Sequence, residues 1–101
     1  MKMPIILATT AAVAAQREIN AHSYDTVGFV AFGLATTEKI HLFVDSGGTW
    51  VPLVNEAGAS LDLTATAPFQ LVDGYGRYGV TKDVTAGNAG LDIELRQSGS
   101  V

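Results

Sequence analysis

The sequence has no cysteine. That absence removes disulfides, thiolate nucleophiles and cysteine-ligated zinc together, and it leaves the redox compartment open. Charge is scarce as well: Asp, Glu, Lys and Arg make up 16% of the 101 residues, with six basic side chains against ten acidic ones and a net charge of −4. The bases (Lys2, Arg17, Lys39, Arg77, Lys82 and Arg96) are scattered singly. With no basic stripe to follow a phosphate backbone, nucleic acid is not an expected partner. Nor does any run reach the roughly 18 consecutive apolar residues of a spanning helix, so no helical membrane span is expected.

What is present is apolar material, 48% of the chain, enough for one domain with a core. From Tyr24 onward its dominant pattern has a period of two, as when a strand turns one face to the core and the other to water. Leu91, Ile93 and Leu95 alternate with Asp92, Glu94 and Arg96. Ile40, Leu42 and Val44 alternate with Lys39, His41, Phe43 and Asp45, and in "SLDLT" Leu61 and Leu63 alternate with Ser60, Asp62 and Thr64. Between the runs lie "GLATTE", "DSGGT", "NEAG", "ATAP", "DGYG" and "TAGNAG". Short alternating runs divided by such turn chemistry predict an all-β protein, a single antiparallel β-sandwich or barrel of about seven to nine short strands.

The N-terminal part is less decided. "MKMPIILATTAAVAAQ" imitates a short signal peptide, but Pro4, Thr9 and Thr10 break its apolar stretch, which favours "PIILAT" as a first strand. Residues 9–21, "TTAAVAAQREINA", have the composition of a helix, yet Val13, Ala15, Arg17 and Ile19 also alternate. The reading adopted is strand or extended chain, giving an extended N-terminal segment or arm over 1–23 and a β-sandwich domain over 24–101. An arm would reach a neighbouring subunit, so deleting residues 1–20 would then weaken assembly more than domain stability.

Few residues carry recognisable chemistry. "GYGRYG", Gly74 to Gly79, matches the dinucleotide fingerprint G-x-G-x-x-G, but that motif works only where a strand passes into a helix. Here "VTKDVTAGNAG" follows, which predicts a strand. His22 and His41 are the only imidazoles, and nothing in the sequence supplies a nucleophile and an orienting partner for either. His41 sits opposite Ile40 and Leu42 in its run, a solvent-facing place; a metal site would need His22, His41 and Asp25 to converge. Asp92 and Glu94 share one strand face, an ordinary wet-side pair. No G-x-S-x-G elbow, P-loop or H-E-x-x-H occurs. The expectation is therefore a non-enzyme without cofactor or metal.

The aromatic residues point instead to contacts. Trp50 is the only tryptophan, and it stands beside Pro52, which marks an edge strand or a bulge because proline donates no ladder hydrogen bond. Aromatic residues are enriched at interface centres. Trp50, Pro52, Tyr75 and Tyr78 are accordingly the candidate interface residues, with a carbohydrate platform as the other use of the same aromatics.

Taken together, "FGLATTEKIHLFVDSGGTWVPLVNEAGASLDLTATAPFQLVDGYGRYGVTKDVTAGNAGLDIEL" resembles small structural proteins of tailed-bacteriophage and prophage virions. The likeness lies in the Gly-Leu turn, the "D-GGTW" turn, the "LTAT" strand end, the "GYGRYGVTK" strand and the "TAGNAG" turn. It covers Phe32 to Leu95, while "AAVAAQREINAH" has no counterpart. The resemblance implies a capsid decoration or cement protein, made in the host cytoplasm and carried on the virion. Its partners would be the major capsid protein or other virion proteins, and it would form a homo-oligomer, with a trimer suiting threefold positions of a shell. The alternative within the same resemblance is a tail- or fibre-associated module that binds carbohydrate or a host surface.

Overall fold

The structure is a computed structural model that describes residues 6–22, 24–73 and 76–96. The described residues form nine strands: β1 (Ile6–Thr9), β2 (Val13–Asn20), β3 (Thr26–Phe32), β4 (Lys39–Ser46), β5 (Thr49–Pro52), β6 (Leu63–Thr64), β7 (Phe69–Asp73), β8 (Arg77–Lys82) and β9 (Ala89–Arg96). They form two sheets. Sheet A has the order β1-β9-β3-β7, and sheet B the order β2-β8-β4-β5 with β6 also paired to β4. Every pairing is antiparallel. No described residue is helical, so no described helix is long and apolar enough to cross a membrane. The all-β sandwich expected from the alternation is the observed architecture.

The inner faces follow the period of two. Sheet A contributes Val27, Phe29 and Ala31 from β3 and Leu91, Ile93 and Leu95 from β9; sheet B contributes Ile19, Ile40, Leu42, Leu63, Tyr78 and Val80. Phe29 and Tyr78 meet across the two layers edge to face, with ring centroids 6.3 Å apart and planes at 73°, the arrangement that sets the positive edge of one ring against the negative face of the other. In "DSGGT" Gly47 and Gly48 have φ of 61° and 90°, the two positive values of a type I′ hairpin turn, which continues the right-handed twist of β4 into β5. The Asp45 carboxylate accepts the Gly48 N–H at 2.9 Å and fixes that turn.

Residues 9–21 are strand rather than helix where they are regular, because β2 pairs with β8 along Arg17–Asn20. The same N-terminal segment supplies an edge to each sheet: β1 pairs with β9 in sheet A, and β2 with β8 in sheet B. Ile19 and Ala21 are completely buried in the common core. The described part of the segment is thus extended, as expected, but it is built into the sandwich rather than reaching away from it.

Lys82 closes one end of the molecule. It follows Tyr78 and Val80 on the inward side of β8 and is 2% exposed. Its ammonium donates to the Ala11 carbonyl at 3.0 Å, the Asp83 carbonyl at 3.1 Å and Thr85 Oγ1 at 2.8 Å. The bend between β1 and β2 is thereby fastened to the loop between β8 and β9. Burial pulls the Lys82 pKa below its ordinary value, against the attraction of Glu38 and Asp83, which acts the other way.

Candidate functional site

The residues proposed as an interface separate once the strands are placed. Trp50 pairs with Asp45, and Pro52 with Phe43, across the β4–β5 ladder, so all four side chains share the outer face of sheet B. Tyr78 is on the opposite side of its strand, 7% exposed and in the core. Its hydroxyl donates to the Asp73 carbonyl, and burial, followed by the nearby Asp73 charge, raises its pKa. Tyr78 therefore does not share a surface with Trp50. Tyr75, with Gly74, lies outside the described residues. The remainder of "GYGRYG" enters strand β8 rather than a helix, which removes the geometry of a dinucleotide site.

Trp50 is half-buried without entering the core. Its ring reaches over β8, where a Cβ at Gly79 would stand 3.1 Å from Trp50 Cζ3 and collide with Gln16 Oε1. The missing side chain of Gly79 is what lets the indole lie so close to the sheet. The Arg77 guanidinium sits over the ring, 4.9 Å from its centroid, and is held there by Asp45 at 3.0 Å and Glu18 at 2.7 Å. An indole serving as a sugar platform needs a free face; here one face carries a cation that two carboxylates hold in place.

His41 is on the outer, solvent-facing side of β4, as expected, with its side chain 30% exposed, and it lies between two carboxylates. Its Nδ1 is 3.1 Å from Asp62 and its Nε2 is 3.1 Å from Asp83. The side chain bridges the segment before β6 to the loop after β8 and leaves neither ring nitrogen free for a nucleophile. His22 is exposed, with its backbone N–H bonded to the Asn20 side chain. Among the described residues no group of three or more His, Cys, Asp or Glu is placed to hold a metal ion.

The most unusual surface was not singled out by the sequence. On the outer face of sheet A, β3 presents Val30 and Phe32 and β7 presents Phe69 and Leu71, at 42%, 36%, 55% and 51% exposure. The register sets Val30 opposite Phe69 and Gly28 opposite Leu71. Because Gly28 has no side chain, a hollow of about 230 Å³ opens above it, lined by Gly28, Val30, Phe69, Leu71, Glu94 and Arg96. Its floor is apolar, and its far wall is the Glu94–Arg96 ion pair at 2.7 Å. No family model, curated protein or solved structure matches this chain. The site must accordingly be read from its own chemistry. Four partly exposed apolar side chains present roughly 300 Å² there, which lies within the range of the largest apolar patch of a typical monomer. The signal that could have found it is "TVGFVAF" with "FQLV", where residues that should alternate with polar ones are apolar on both sides.

Proposed function

We propose that this protein acts by protein–protein contact, through the outer face of sheet A, as a structural assembly component. Its setting in this reading is a tailed-phage virion, where it would act as a capsid decoration or cement protein, a role that the resemblance in the sequence supports. The observation that supports the reading is the exposed apolar group Val30, Phe32, Phe69 and Leu71, of which Val30, Phe69 and Leu71 line the Gly28 hollow. An apolar floor with a single ion pair at its rim suits an apolar side chain of a partner, the anchor-in-pocket arrangement of contact surfaces. On a symmetric shell, modest area per contact is multiplied by the number of copies engaged. The hydrogen-bonded tethering of His41, and the capping of Trp50 by Arg77, favour structural roles for the two side-chain groups that would otherwise suggest catalysis or glycan binding.

The test is binding of the purified protein to empty tailed-phage shells, followed by co-sedimentation, with Val30→Lys as the perturbing variant. Val30 is partly exposed on the outer face, so the lysine reaches water without entering the core. A tenfold or greater loss of shell binding with an unchanged melting temperature is expected. A wild-type protein that ignores shells but binds glycans in an array overturns the reading in favour of a recognition module.

A further inference from the structure

The outer faces of the two sheets differ in how their charges are settled. On sheet B, Glu18 and Asp45 hold Arg77, and Asp62 and Asp83 hold His41. On sheet A the register sets Asp92 opposite Val30 and Glu94 opposite Gly28, with Asp73 and Arg96 in the next row on either side of Thr26. Three acids there stand against one base. Arg96 is bound to Glu94 at 2.7 Å, so the face keeps an excess of negative charge beside its apolar group.

Asp92 is the informative member. It sits next to Val30, which lines the hollow, and is only partly exposed. Its Oδ1 is buried with no hydrogen-bond partner. A carboxylate oxygen removed from water without a donor costs free energy that the fold does not return. A positive charge brought beside the carboxylate offsets that cost, and the attraction strengthens once a partner has displaced water from the face.

We propose that the partner segment received by this face is cationic as well as apolar: an apolar side chain enters the hollow above Gly28 while a lysine or arginine of the same segment stands against Asp92. This rests on the reading of the outer face of sheet A as a contact surface and adds the partner's chemistry to it. Gly28 and Asp92 are diagonal neighbours across the β3–β9 ladder, a separation of about 7–8 Å. Residues i and i+2 on one face of an extended segment are about 6.5 Å apart, and the flexible stem of a basic side chain spans the difference. Asp73 and the net charge of −4 draw the same kind of segment and turn away anionic ones.

Two synthetic peptides with blocked termini, Lys-Thr-Phe-Thr-Lys and Glu-Thr-Phe-Thr-Glu, test this on the full chain through the amide chemical shifts of isotope-labelled protein. The basic peptide should move the amides of Gly28, Val30, Leu71 and Asp92 and bind at least tenfold more tightly than the acidic one, less so as salt screens the pair. Asp92→Asn should lower that affinity at least threefold without lowering the melting temperature, since no internal bond to Oδ1 is lost. Glu56→Gln, the same charge change on the exposed loop between β5 and β6, should leave it unchanged. Val30→Lys sets an ammonium opposite Asp92 within the chain and should abolish the preference for the basic peptide. Equal binding of the two peptides, no binding on this face, or equal losses in the Asp92→Asn and Glu56→Gln variants overturns the proposal. The two readings fail separately: shell binding indifferent to salt and to Asp92→Asn overturns only the partner's charge, whereas a peptide preference in a protein that ignores shells overturns only the shell function.

Discussion

Replacing Lys82 by methionine tests whether one buried ammonium holds the end of the sandwich together. Methionine keeps most of the aliphatic stem and removes three hydrogen bonds, to Ala11 O, Asp83 O and Thr85 Oγ1. Bonds to a charged donor are each worth about 1.5–3 kcal/mol, but the substitution also relieves the several kcal/mol spent in drying the ammonium. Some acceptors also recover. Ala11 and Asp83 are exposed residues whose carbonyls can turn to water, and the Thr85 hydroxyl keeps the Gly87 carbonyl at 2.7 Å. The balance is a loss of about 1–2 kcal/mol, a fall in melting temperature of about 5–15 °C for a domain of this size. Scanning calorimetry measures it.

A pH series separates the charge from the packing. The folded-state pKa of Lys82 is lowered by burial, so the unfolded chain holds its proton to higher pH than the folded one. Stability therefore rises with pH between the lowered folded value and the unfolded value near about 10.4. The methionine variant lacks this contribution, while Tyr78 titrates in both proteins and cancels. The stability gap between wild type and variant must widen as pH rises through that window. A variant as stable as wild type, or a gap that narrows with rising pH, refutes the account of Lys82 as a desolvated but fully bonded clip.

Two further outcomes follow from the same geometry. Glu38 accepts the Ala35 and Ala86 N–H groups, each at 2.7 Å, and these bonds, Ala35 first, lower its pKa. Its contribution is present above the unfolded carboxylate value and lost as pH falls through the lower folded value, so in melts from pH 7 to pH 2 the difference between wild type and Glu38→Gln should close on acidification; a difference constant with pH counts against it. Deleting residues 1–20 removes β1, β2 and the completely buried Ile19; loss of one such side chain alone costs about 2–5 kcal/mol. The truncated chain should lose its cooperative melt by circular dichroism, and a melting temperature equal to that of the full chain would return the segment to the role of a dispensable arm.

The parts of the fold that were legible in the sequence are those where polar and apolar residues take turns. Leu91, Ile93 and Leu95 are buried as their alternation requires, and "DSGGT" forms the turn that two adjacent glycines allow. Lys82 was less legible because a lysine in an alternating run is ordinarily placed on the wet side; its parity with Tyr78 and Val80 was the better guide than its charge. The same parity explains why Tyr78 belongs to the core and not to a surface with Trp50. The tie from His41 to Asp62 and Asp83 depends on two segments distant in sequence closing around β4, and no local pattern encodes that. β7 escaped notice because "FQLV" offers apolar residues to both faces, which erases the alternation that marks a half-buried strand.

The two outer faces differ in a way that bears on function. On sheet B the large aromatic is already satisfied: the indole lies over Gly79 and the guanidinium of Arg77 lies over the indole, pinned by Asp45 and Glu18. On sheet A, Phe69 and Leu71 flank Gly28, near enough for contact with an added Cβ, without closing the hollow. Both stand half in water, and beside them runs an edge of β7 that no described strand pairs with. The place of the missing side chain is filled by an aromatic ring on sheet B and leaves a hollow on sheet A. Exposed apolar area beside such an edge is a liability for an isolated protein, and it is consistent with a chain whose working state includes a partner on that side.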